Sequence, residues 1–245
     1  MNNTVKLSAA AVVLALGMVL SSALLSKLFV RIRHEQAITV KGYAEKDVVS
    51  DVGKFLCTCR ARGGSLKESY GKLQESKAVV TEYLKRAGFH EAEIVPETID
   101  TCKIPKRDAQ GKETNETEYY DVSQSISISS TNIALIRDVS TRITELIKEG
   151  MDLQASAPQF YISDLKDAKF GLLAQATADG YRRAVVLAEN SNGKVGALIS
   201  AQQGVFQITK KNSTDTSGYG EYDTSTIEKT AKAVVTLEYA IEPKK

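Results

Sequence analysis

Side chains alternate in character along residues 122–129. Val122, Gln124, Ile126 and Ile128 point to one side of an extended chain, and Ser123, Ser125, Ser127 and Ser129 to the other. A strand of this kind has one face to bury and one to leave wet. That excludes a parallel sheet covered on both faces, whose strands read as unbroken apolar runs. The end of the chain repeats the pattern. Over residues 227–241, Ala231, Ala233, Val235, Leu237, Tyr239 and Ile241 share one side, while Lys232, Thr236 and Glu238 share the other. A one-sided sheet needs a cover, and the rest of the sequence supplies helices for it.

Residues 38–45 and 50–62 read as two strands. In the second, Phe55, Cys57, Cys59 and Ala61 form the predicted core face, because the opposite set includes Lys54 and Arg60. Gly63 and Gly64 end it. Ser65 followed by Glu68 is a capping box. It opens a helix with the stripe Leu66, Tyr70, Leu73, Val80, Leu84 and Ala87, interrupted by Lys77 and stopped by Gly88. Residues 94–104 look extended, and 105–117 read as a polar hairpin loop. A second helix is predicted over 131–150, with Ile133, Ile136, Val139, Ile143, Leu146 and Ile147 inward. After an extended segment at 153–162, Ser163 or Asp164 caps a long helix ending near Gly193. On it Ala168, Leu172, Ala176, Gly180, Ala184 and Ala188 recur every fourth residue. Such a row lets a helix lie close to its neighbour. The plain reading is packing on the sheet; the alternative is a groove for a partner helix. Two strands, about 195–209 and 227–241, close the chain. The order is ββαββαβαββ. The expected class is α+β, with an antiparallel or mixed sheet flanked by helices. It forms one body over 34–245, or two lobes over 34–150 and 151–245.

Ahead of this body, residues 7–26 carry no charge. Twenty helical residues rise about 30 Å, the thickness of a bilayer's hydrocarbon core. Ser21 and Ala23 would suit a signal-peptide cut, but Leu24, Leu25, Leu28, Phe29 and Val30 extend the apolar character beyond it. The length favours an uncleaved, single-pass transmembrane helix, with residues 1–33 as anchor and juxtamembrane segment. Lys6 stands before the run, and Lys27, Arg31 and Arg33 after it, so a count of positive charge would leave the body in the cytoplasm. The whole chain carries a net charge of +2, which makes no electrostatic case for nucleic acid.

No G-x-S-x-G, H-E-x-x-H, P-loop or dinucleotide fingerprint is present. Cys57 and Cys59 lack the second pair that a zinc site would use, His90 follows a helix stop, and His34 is juxtamembrane. Glu91 and Glu93 are too isolated to name a reaction, and Asp164 and Asp167 suit the first turn of a helix. No catalytic, cofactor-binding or metal-binding residue is expected. Tyr219 and Tyr222, beside Gly218 and Gly220, form the candidate interaction loop, against an ordinary hairpin tip.

Taken together, several stretches resemble the SIMPL-domain family of bacterial envelope proteins. ITVKGYAEKDVVSDV at 38–52 is similar to the family's opening strands, and SLKESYGKLQESKAVVTEYLKRAGF at 65–89 to its first helix. The 119–130 strand with its Ile-rich helix, KFGLLAQATADGYRRAVVLAENSNGKVGALIS at 169–200, and KTAKAVVTLEYAIE at 229–242 follow in order. Val52 and Gly53 stand after Asp51 where the family usually has Ala, and Cys57 and Cys59 are outside its pattern. The anchor, the basic residues and ITVKG are similar to a membrane-anchored subgroup. The resemblance implies a body on the extracytoplasmic, periplasmic side, against the charge count. It also implies a non-catalytic, homo-oligomeric assembly or interaction module of the cell envelope, linked to oxidative stress. In such a compartment Cys57 or Cys59 could bridge to Cys102. The alternatives are three thiols acting as small hydrophobes, or a thiol-based stress protein. A small-ligand-binding envelope protein is a further alternative.

Overall fold

A computed structural model describes residues 17–19, 21–22, 37–213 and 219–243. The elements are β1 (Ala37–Val49), β2 (Val52–Gly63), α1 (Leu66–Ala87), β3 (Ile94–Arg107), β4 (Glu113–Ser130) and α2 (Ile133–Arg142). They continue with β5 (Asp152–Ala155), β6 (Gln159–Tyr161), α3 (Lys166–Asn190), β7 (Gly193–Gln203), β8 (Gln207–Lys210) and β9 (Glu228–Pro243). The class is α+β with antiparallel pairing, and the order is ββαββαββαβββ. The extended segment at 153–162 holds two short strands, and 195–209 splits in two after Gln203, where the Gly204 N–H donates to Val234 O at 2.8 Å. The expected transmembrane helix over 7–26 falls almost wholly outside the described residues. Among the described residues no helix is long and apolar enough to cross a membrane.

The chain divides into two compact units, each drawn from separated stretches. One combines Lys169–Phe206 with the chain up to Glu45 and from Lys232 on; the other combines Lys46–Ala168 and Gln207–Ala231. A single boundary at residue 150 therefore does not separate them.

In the larger unit the strands lie in the order β3–β4–β2–β5, with β6 also on β2. β2 sets Phe55, Cys57, Cys59 and Ala61 beside Ile128, Ile126, Gln124 and Val122. This is the face expected from alternation. It is buried under Leu73, Val80 and Leu84 of α1 and Ile136 and Val139 of α2. The Glu68 N–H donates to Ser65 Oγ at 3.2 Å, and the Gly64 N–H donates to Glu68 Oε2 at 3.0 Å. Gly88 ends α1 at φ 113°, a conformation that glycine adopts without strain.

Three expectations need correction. Leu66 and Tyr70 stay about half exposed, and Ser69 is buried in their stead. Its hydroxyl donates toward Ser65 O and Tyr120 O, both at 3.0 Å, so the core accepts it because it is bonded. The second helix changes pitch: α2 ends at Arg142, and Ile143–Glu149 is 3₁₀ up to Gly150. That change leaves Ile147 exposed while Ile143 and Leu146 remain buried. The polar loop at 105–117 shrinks to five residues. Asp108 Oδ1 accepts the N–H groups of Gln110 and Lys112, closing a tight turn between β3 and β4.

In the smaller unit the sheet runs β1–β9–β7. Leu172, Ala176, Gly180, Ala184 and Ala188 are the buried residues of α3, so the row of small side chains packs on its own sheet. The reason is a meeting of backbones. A Cβ built on Gly42 of β1 would stand 2.0 Å from Ala176 O and 2.7 Å from Gly180 N. The Tyr43 N–H next to it donates to Asp179 Oδ2 at 3.0 Å. That bond, with Arg183 at 2.8 Å, holds the Asp179 carboxyl below the usual carboxylate range.

The G42A variant should lose about 3 kcal/mol or more of stability, because neither backbone can yield to the new methyl. G180A should cost less. Its methyl would meet chiefly the movable Leu237 Cδ1 at 2.7 Å, and alanine favours the helix by about 1 kcal/mol. Denaturant unfolding of the two variants checks the ranking; equal costs would refute the backbone contact as the cause.

Candidate functional site

The cysteines do not come together as a trio. Cys57 and Cys59 are fully buried on the core face of β2, Cys102 is exposed on β3, and all three are unbridged. Cys59 lies opposite Gln124, which lies opposite Ile99; Cys102 lies opposite Asp121, which lies opposite Arg62. Cys102 is therefore two strands across and three residues along from Cys59, about 14 Å by strand geometry. A disulfide needs its Cα atoms within about 7 Å. Cys102 also shares a side of the sheet with Asp121, away from the core. In this register neither buried cysteine can bridge to it. The hydrogen bond to Cys59 and burial push the Cys57 thiol far above the ordinary thiol range. A sealed, protonated thiol is not a nucleophile.

The other sequence candidates serve local structure. Asp164 Oδ1 accepts the Lys166 N–H at 3.0 Å at the start of α3, and Glu93 Oε2 accepts the His90 N–H at 2.8 Å. Among the described residues no three His, Cys, Asp or Glu side chains gather where they could hold a metal ion. Tyr219 is fully exposed. Tyr222 is not a loop tip. Its hydroxyl accepts the Ile162 N–H at 3.3 Å, and its ring stacks on Tyr161 with centroids 6.4 Å apart.

Beside Tyr222 lies a residue that sequence reading missed. Lys229 is fully buried, its Nζ donates to Phe160 O and Asp223 O, and it sits 5.5 Å from the centroid of the Tyr222 ring. The signal was available. Lys229 falls on the Ala231–Ala233 side of the β9 alternation, where a charge should not be. Its ammonium joins the end of β6 to the 222–224 segment, and burial pushes its pKa below the usual lysine range. It is a structural buttress.

The surface offers one further feature, on the strand edges. β5, β6 and β8 are three or four residues long. β3 carries Pro96, Pro105 and the charges Glu97, Asp100, Lys103, Lys106 and Arg107. β1 carries Lys41, Glu45, Lys46 and Asp47. Short length, proline and charge are the usual protections of an edge. β7 has none of them from Val195 to Gln203. Among the described residues it pairs only with β9, and Leu198 and Ile199 are half exposed. Two register shifts between Val195 and Ser200, of the β-bulge kind that also blunts edges, are the one such device it carries among the described residues. Its unpaired N–H and C=O groups, flanked by apolar side chains, can accept another strand.

The buried Lys229 yields a test of the larger unit. K229M should be less stable than wild type by about 1–3 kcal/mol at pH 7, because two buried carbonyls lose their donor. Between its lowered folded pKa and the ordinary 10.5, Lys229 binds fewer protons folded than unfolded. Wild type therefore gains stability with rising pH across that window, and the K229M deficit should widen toward pH 10. A deficit that narrows instead would show that the fold prefers the charged amine.

Comparison with known families matches residues 38–239 to SIMPL, described as a protein of unknown function (DUF541). No curated protein matches the chain. The matched stretch begins in β1, ends in β9 and takes in the residues of both units described above. The chain belongs to the SIMPL family.

Proposed function

We propose that the protein is a membrane-anchored, extracytoplasmic and non-catalytic module of the cell envelope that assembles with further copies of itself along the outer edge of β7. The observation that carries the reading is that edge: nine uncharged, proline-free residues, apolar at the centre and paired on one side only. Two faces come into question for assembly, the β7 edge and the Ala/Gly face of α3. The second is occupied by the chain's own sheet at Gly42. β7 also suits self-pairing. In an antiparallel pair centred on Leu198, Lys194 of one copy would lie opposite Gln202 of the other, so no like charges meet. The uncharged run at 7–26 supports the tether. The likeness to envelope proteins supports the side of the membrane. The thiol alternative has less to stand on, since two of its three sulfurs are sealed in the core.

Light scattering on the full-length chain in detergent, after size exclusion, tests the assembly. The wild type should run as a dimer or larger. I199K places a charge at the centre of the edge, on a half-exposed position that costs the fold little, and should run as a folded monomer by circular dichroism and scattering. A wild-type monomer at high concentration, or an I199K oligomer of unchanged mass, would refute edge pairing.

A further inference from the structure

An open groove of about 560 Å³ runs along the smaller unit between the start of β1 and the second half of α3. Val40, Val186 and Leu187 supply its apolar lining, and Lys41, Arg182 and Arg183 its basic rim. Val186 and Leu187 are about half exposed. On α3 the pairs Arg182 and Val186, and Arg183 and Leu187, are four residues apart, so each guanidinium stands one turn from an apolar side chain. Asp179 neutralises part of the rim: Arg183 Nε lies 2.8 Å from its carboxylate and Arg182 4.0 Å. Two positive charges remain in excess over an apolar strip.

The chain preceding β1 says what such a strip would meet. The uncharged run ends at residue 26 and β1 begins at Ala37, so at most about 40 Å of extended chain separates them. That stretch carries Lys27, Arg31 and Arg33 against the single acid Glu35, the same sign as the groove. Resting on the anchored reading above, we infer that the groove is a docking face for an anionic phospholipid surface. Val186 and Leu187 enter the boundary between headgroups and acyl chains, and Lys41 and Arg182 meet the phosphates. The tether keeps the groove within reach of the bilayer, so a weak contact is enough.

The chain contains no tryptophan, so L187W gives a single fluorescent reporter in the groove. The full-length variant is reconstituted into phosphatidylcholine vesicles with and without phosphatidylglycerol. Flotation after an alkaline carbonate wash reports the anchor separately. With the anionic lipid, Trp emission should shift to the blue and be quenched by brominated lipids. Both effects should be lost with added K41Q and R182Q or in high salt, and both should persist with added I199K. Protein that floats but shows no lipid-dependent quenching overturns the docking face and leaves the anchor standing. Protein that does not float removes the anchor, and the docking face with it. A blue shift that grows with protein density in phosphatidylcholine alone, without quenching, assigns the groove to a second copy and overturns the lipid assignment.

Discussion

The meeting of Gly42 with the turn of α3 from Ala176 to Gly180 governs the smaller unit. A strand and a helix usually stand apart by the thickness of their side chains. Here the missing Cβ atoms let main chain touch main chain. That distance can be kept along the helix only if its inward residues are small, and Ala176, Gly180, Ala184 and Ala188 are. The Tyr43 N–H bonded to Asp179 fixes the register of strand on helix at the same point. With the inner face of α3 committed to the sheet, Arg182, Arg183, Val186 and Leu187 are among the residues that remain outward. The groove is thus a by-product of the close contact. In the same sheet β9 lies between β1 and β7, which leaves β7 at an edge.

The larger unit solves a different problem. Its sheet buries ordinary large side chains, and its difficulty lies in the polar groups that go in with them. Ser69, Gln124 and Lys229 all lie inside, and each has a main-chain carbonyl to donate to. Ser69 is satisfied by its hydrogen bonds, whereas Gln124 donates its amide to Glu97 O at 2.6 Å and leaves Oε1 buried without a partner among the described residues, an unrelieved desolvation cost. For Lys229 the cost of burial includes a charge, which two carbonyls and an aromatic ring offset only in part; hence the lowered pKa.

How far this was legible in the sequence depends on whether a feature is local. The alternation at 122–129 is a property of consecutive residues, and the buried face follows it; along β9 it holds from Ala233 to Tyr239, while Lys232, expected on the wet side, is buried. The Ser65–Glu68 cap and the Gly88 stop are local too. The long helix at 131–150 failed because propensity does not distinguish α from 3₁₀ pitch, and Ile147 is decided by that pitch. The 105–117 segment looked like a loop because its side chains are polar. An exposed ribbon needs no apolar residues, only the Asp108 turn that aligns its strands. The separation of Cys102 from Cys59 was not legible, because it is set by the pairing of three strands. Lys229 was readable from the alternation and was missed because a lysine in an apolar row is ordinarily taken to reach solvent. The role of β7 lay in an absence of charge, which has meaning only once the strand is known to be an edge.

Edge pairing and tethering constrain one another. Two antiparallel strands in one sheet are related by a two-fold axis perpendicular to that sheet. Copies anchored in one bilayer can share such an axis only if it runs along the membrane normal. Under β7 pairing the sheet of the smaller unit would then lie parallel to the bilayer, and α3 of both copies would stand on the same side of it. The groove opens on the side that carries α3, since it is lined by that helix and β1. A lipid-facing groove and a self-pairing β7 are therefore geometrically compatible. The axis that joins the copies would present both basic rims to the membrane together, and a contact too weak to hold one copy flat would act twice.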